Sequence, residues 1–116
     1  MRQIRLGLAA AGVTAALGLC GDGALAADAA KGKDTYVRVG CYACHGRQGQ
    51  GGVAGLKLAP DPMPYDTLVS FVRTTSGTMP PYSAKILSDD ELSDIYAYLL
   101  SVPKPPDPKS IPLLNP

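Results

Sequence analysis

Cys41, Tyr42, Ala43, Cys44 and His45 stand consecutively in the chain. Two thiols three positions apart, followed at once by an imidazole, form the spacing that attaches a c-type haem. One turn of chain places both sulfurs beside the two vinyl groups of a porphyrin edge, and the next residue swings under the ring to ligate iron. Thioether bonds suit a compartment from which free haem would diffuse away. Three other chemistries compete for the same residues. A zinc site needs further Cys or His ligands, and His45 is the only histidine of the chain. A dithiol–disulfide redox pair needs a βαβ scaffold, and no strand pattern is present. A local disulfide leaves the adjacent His45 without a role. The expectation is one haem c with its iron, bound covalently through Cys41 and Cys44 and ligated by His45.

A sixth iron ligand would decide what such a centre does. The chain has three methionines. Met1 leaves with a leader. Met63 sits between Pro62 and Pro64, and Met79 lies in the run Gly77-Thr78-Met79-Pro80-Pro81-Tyr82. A methionine is more often core filling than ligand. Given a haem, the Met79 loop is long enough to reach the opposite face, and its prolines would hold the thioether there. The metal ligands expected are His45 and Met79, with Met63 or an open site as the alternatives.

The elements around these residues must be few. At 116 residues the chain is one domain at most. It carries 11 Lys+Arg against 10 Asp+Glu, too even a balance for a nucleic-acid binder. Residues 1–27 read as a secretory signal peptide. Arg2 and Arg5 open it, an apolar run follows from Leu6 to Leu19, and Ala24-Leu25-Ala26 supplies the small-x-small cleavage pattern. Cleavage is expected after Ala26 or Ala27, placing the mature chain in the periplasm. An uncleaved membrane anchor is the rival, but the run is shorter than the ~20 residues that span a bilayer. Lipidation at Cys20 would want a small residue at position 19, where Leu19 stands. The mature chain is short enough to need a staple, and a covalently tied macrocycle would supply most of its core.

The remainder reads as three helices and wrapping loops. Asp28 is positioned to cap a helix over residues 29–39. Gly32 within it is a poor helix former, explained by close approach of another helix or by a simple lapse in propensity. A second helix over 65–75 has an apolar stripe of Tyr65, Leu68, Val69 and Val72, with Gly77 ending it. The third is marked by the capping box Ser88-Asp89-Asp90-Glu91 and by Leu92, Ile95, Tyr96, Leu99 and Val102 on one face, and Pro103 stops it. The acidic trio is better explained by capping than by docking of a partner. Residues 46–64 are rich in Gly and Pro. No strand precedes them and no Gly-Lys-Ser/Thr ends them, so they are not a phosphate loop. They should pass close to the haem edge, with a carbonyl near Pro60 accepting a hydrogen bond from the second nitrogen of His45. Residues 103–116 form a Pro-rich tail with an apolar end at Ile111, Leu113 and Leu114. Such a tail is disordered, docked on its own domain, or docked on a partner.

Over residues 29–102 the chain resembles the small bacterial class I c-type cytochromes. The resemblance rests on Gly32-xxx-Tyr36 before Cys41-xx-Cys44-His45-Gly46, on Met79-Pro80-Pro81-Tyr82, and on the helix from Leu87 to Leu99. It implies an all-α cytochrome c fold, three to four helices around one covalent haem in a domain of residues 28–102. It implies His45 as proximal and Met79 as distal ligand, and Gly32 and Tyr36 meeting Ile95, Tyr98 and Leu99. The chain departs from longer relatives in having no tryptophan, which leaves Arg73 and Tyr65 as candidates for propionate contacts beside a plain surface role. The function implied is one-electron transfer and no enzyme activity. The carrier would run between redox-partner proteins, from a periplasmic dehydrogenase to a terminal oxidase or another cytochrome. No nucleic acid is expected, and a membrane only transiently or through an uncleaved signal. The first alternative is a tightly bound subunit of a flavin- or quinone-dependent dehydrogenase; the second, an open-site haem enzyme or gas-binding protein.

Overall fold

A computed structural model describes residues 26–115. The leader expected over 1–27 lies outside them except for its last two residues. The described chain contains four α-helices and no strand: α1 (Ala29–Arg38), α2 (Cys41–His45), α3 (Tyr65–Thr74) and α4 (Asp89–Ser101). Two short 3-10 turns follow, Pro108–Ser110 and Pro112–Leu114.

Local chemistry explains the boundaries. The Asp28 carboxylate accepts hydrogen bonds from the backbone N–H groups of Ala30 and Lys31, which otherwise have no partner within the helix. Gly40, at φ 87°, takes the left-handed conformation that turns the chain from α1 into α2. The five-residue helix α2 is a turn the apolar periodicity does not announce. Helix α3 ends at Thr74, its cap Thr75 already extended, so the chain leaves the helix before Gly77. The capping box of α4 is complete: the Glu91 N–H donates to Ser88 Oγ, and the Ser88 N–H donates to the Glu91 carboxylate at 2.9 Å.

These bonds, the Ser88 hydroxyl and then Arg38 hold the Glu91 carboxyl below the usual carboxylate range. A lowered pKa means the group stabilises the fold above its unfolded value and loses that contribution as pH falls through the folded value. Glu91→Gln is therefore expected to cost a few tenths of a kcal/mol at pH 7, small because solvent screens the group. The gap to the unsubstituted protein should close below about pH 4. Ser88→Ala should cost about 1 kcal/mol at neutral pH. Urea unfolding of both variants across a pH series checks this.

Helices α1 and α4 cross at Gly32. A side-chain carbon at that position would lie 2.8 Å from Ile95 N and closer still to the Asp94 carbonyl, so only glycine allows the helices this near. The expected meeting of Gly32 and Tyr36 with the α4 face is present. The rings of Tyr36 and Tyr98 pack edge to face with centroids 5.5 Å apart. On α4 the buried tyrosine is Tyr98; Tyr96 is half-buried and tilts against Tyr65 at 5.2 Å. The buried core comprises Tyr36, Ala59, Leu68, Val72, Leu87, Leu92, Ile95, Tyr98 and Leu99. The tail turns beyond Pro103 without joining this core. Lys104 lies 3.4 Å from Asp61, and Leu113 and Leu114 remain exposed.

Candidate haem site

Seven of the nine buried hydrophobic residues also wall one cavity, Ala59 and Tyr98 being the exceptions. The cavity measures about 290 Å³, and Cys41, Cys44, His45 and Met79 all line it. Helix α2 presents the two sulfurs and the imidazole. The loop between α3 and α4 brings Met79. Met63 lines the cavity too, so the structure gathers both candidate thioethers and leaves neither elsewhere. Cys41 and Cys44 are half-buried and are not joined to each other as a disulfide. Among the described residues no group of three or more His, Cys, Asp or Glu is placed to hold a metal ion, which disfavours the zinc reading.

The imidazole is held from behind. His45 Nδ1 donates to the Leu56 carbonyl at 2.7 Å. That fixes the proton on Nδ1 and leaves the lone pair of Nε2 for a metal. The carbonyl expected near Pro60 is thus supplied four residues earlier, because the loop doubles back on itself. Gly51 N–H donates to the His45 carbonyl and Gly52 N–H to that of Gly55. A side chain at Gly55 would come within 2.7 Å of the Cys44 carbonyl and 2.8 Å of His45 Nδ1. Glycine there lets the backbone approach the ring.

The segment that carries the thiols is tied down on both sides by tyrosine hydroxyls. Tyr82 donates to the carbonyl of Val39, Tyr36 to Gly46 and Tyr98 to Arg47, at 2.9, 2.8 and 2.8 Å. Burial raises the pKa of all three phenols, so each remains a donor at neutral pH. Sequence reading placed Tyr36 and Tyr98 only as packing residues. The available signal was that a buried tyrosine must place its hydroxyl on an acceptor, but which acceptor depends on the fold.

Arg73 and Tyr65, candidates for propionate contacts beside a plain surface role, have their polar groups bonded elsewhere. Neither lines the cavity. Arg73 donates to the Tyr82 carbonyl at 2.8 Å and to the Asp89 carboxylate at 2.6 Å, and the Tyr65 hydroxyl donates to the Asp89 carbonyl at 3.3 Å. Their polar groups are used to join α3 to α4 and to the loop between them.

Apolar walls, two thiols on one helical turn and an imidazole with a free nitrogen fit a flat macrocycle tied in by thioethers. The fold and the site define a small c-type cytochrome. The family model described as cytochrome c oxidase, cbb3-type, subunit III matches residues 27–99, and the chain belongs to that family. As a member it carries haem c, with iron, bound covalently through Cys41 and Cys44. It is similar to the cytochrome bc1 complex cytochrome c subunit of Corynebacterium diphtheriae, 38% identical over 88 residues, which cover 73% of this chain and 31% of that protein. The protein of the same name from Corynebacterium efficiens is 34% identical over 84 residues, covering 70% and 28%. The chain thus spans under a third of the length of these curated relatives. No solved structure matches it.

Proposed function

We propose that the chain is a one-electron carrier whose iron is held by His45 on one side and Met79 on the other. The observation that carries this reading is the convergence of His45, Met79 and the two thiols on one apolar cavity. Haem c supplies a one-electron couple when bound. The Leu56 carbonyl orients the His45 ring and leaves Nε2 for the iron. A thioether opposite favours ferrous iron and sets the potential above that of a bis-histidine centre. With His45 and Met79 both holding the iron, no coordination site would be left for a substrate, which supports a carrier over an enzyme. Two ligands supplied by the chain would stay in place in both oxidation states, so His45 and Met79 would move little as an electron passes. Exchange takes place at the cavity mouth with redox-partner proteins such as a dehydrogenase, an oxidase or another cytochrome. Both relatives are named as cytochrome c subunits of a bc1 complex, which supports a partner that is itself a redox complex.

The mature domain is residues 28–102, followed by the tail of 103–116. Export to the periplasm rests on the leader-like residues 1–27, whose first 25 lie outside the described structure. Among the described residues no helix is long and apolar enough to cross a membrane.

The choice between the two thioethers is tested by spectroscopy of the ferric protein. Methionine sulfur on haem iron gives a weak near-infrared band. Met79→Ala should abolish that band and lower the reduction potential; Met63→Ala should leave the band in place. A band that survives Met79→Ala and disappears in Met63→Ala reverses the assignment.

A further inference from the structure

The loop that carries Met79 is anchored at its ends and nowhere between. Among the described residues, 76–81 take part in no backbone–backbone or side-chain hydrogen bond. On the near side the Thr75 N–H closes on the Phe71 carbonyl at the end of α3. On the far side every polar group of Tyr82 is used. Its N–H donates to the Val72 carbonyl at 2.9 Å, its carbonyl accepts from Arg73 Nη1 at 2.8 Å, and its hydroxyl donates to the Val39 carbonyl at 2.9 Å. Arg73 is itself fixed, with a side chain only 18% exposed and Nη2 on Asp89. Only Pro80 and Pro81 separate Tyr82 from Met79, and their locked φ angles transmit the position of one to the other.

We infer that Tyr82, clamped by Arg73, is the positioning residue that keeps the Met79 thioether at the iron. This rests on the reading of Met79 as sixth ligand. The joint links three parts of the fold: α3 through Val72 and Arg73, the start of α4 through Asp89, and the turn into α2 through Val39. The thioether is thereby referenced to the same turn that carries the thiols. Loosening the Arg73 clamp frees the loop and leaves the contacts of Leu56, Tyr36 and Tyr98 on the other side in place, whereas Tyr82→Phe also releases the Val39 carbonyl at the turn into α2. An external diatomic then competes more easily for the iron.

The test uses the haem-loaded full chain and carbon monoxide as the probe of the ferrous sixth position. Tyr82→Phe removes one hydroxyl, Arg73→Met removes the clamp, and Arg73→Lys restores charge with a poorer fork. Tyr65→Phe is the control, deleting a hydroxyl that joins α3 to α4 without touching the loop. Losing one such hydrogen bond should raise the apparent affinity for carbon monoxide roughly tenfold in Tyr82→Phe and Arg73→Met. Arg73→Lys should fall between these and the unsubstituted protein, and Tyr65→Phe should match the latter. In the ferric state the near-infrared band should disappear at lower denaturant concentration in the first two variants while far-ultraviolet helicity persists. Should Arg73→Met fail to accumulate, Tyr82→Phe carries the test alone. An unsubstituted protein without the band overturns both the ligand assignment and this joint. A protein with the band whose Tyr82→Phe variant binds carbon monoxide as the original does overturns the joint alone. So does an equal rise in Tyr65→Phe, which would mean that any loosening between α3 and α4 suffices.

Discussion

With Cys41 and Cys44 both replaced by alanine, the chain is expected to lose its colour to acid-acetone and, with the colour, its cooperative unfolding transition. The reason lies in where the core is. Seven of its nine buried hydrophobic residues also face the cavity, so much of the core packs against whatever fills it. Leaving a cavity of about 290 Å³ unfilled takes away the packing of those seven side chains, and a domain of this size has only about 5–15 kcal/mol of stability to lose. Helix α2 has five residues and no buried side chain of its own, too short to be stable in isolation, so it depends on its tyrosine anchors and on what its sulfurs hold. Acid-acetone extraction reads the first outcome; far-ultraviolet dichroism followed through a thermal scan reads the second. A double-alanine chain that stays coloured or melts sharply would contradict this account of the core.

Gly32→Ala is expected to destabilise the holoprotein by about 3 kcal/mol or more. Two effects oppose each other. In a free helix alanine is better than glycine by about 1 kcal/mol, so propensity alone predicts a gain. Against it, the added carbon meets backbone atoms of α4, the Asp94 carbonyl and Ile95 N, which no side-chain rotation can move aside. The helices would have to separate. Separation strains the Tyr36–Tyr98 edge contact and the hydrogen bond from Asp28 N–H to the Asp94 carboxylate at 2.6 Å. Steric cost wins because interiors are close-packed and the crossing has no slack. Guanidinium unfolding measures the difference. An unchanged or raised midpoint would mean that Gly32 is a lapse in propensity after all.

Much of the site was legible because its chemistry is local. Cys41, Cys44 and His45 are neighbours in sequence, so no fold is needed to place two thiols and an imidazole on one turn. Asp28 and the Ser88–Glu91 box are equally local, since a cap is satisfied within three or four residues, and both stand where expected. The apolar stripes of α3 and α4 follow from periodicity. The helix α2 was not legible as a helix, being too short to show a period.

What failed was long-range and polar. Arg73 carries the same charge whether it meets a propionate or a backbone carbonyl, and nothing in its neighbours says that Tyr82 lies within reach. The carbonyl behind His45 belongs to Leu56 instead of a residue near Pro60, because glycines at 51, 52 and 55 fold the loop more tightly than its length suggests. The sequence by itself determined the attachment chemistry, the helix starts and the all-helical class, all set by residues a turn or two apart. Only the tertiary structure decided which groups meet across the chain: three tyrosines around one short helix, two methionines at one cavity, and a core that is mostly wall. Backbone carbonyls are the acceptors in those contacts, and since every residue has one, only the fold can choose among them.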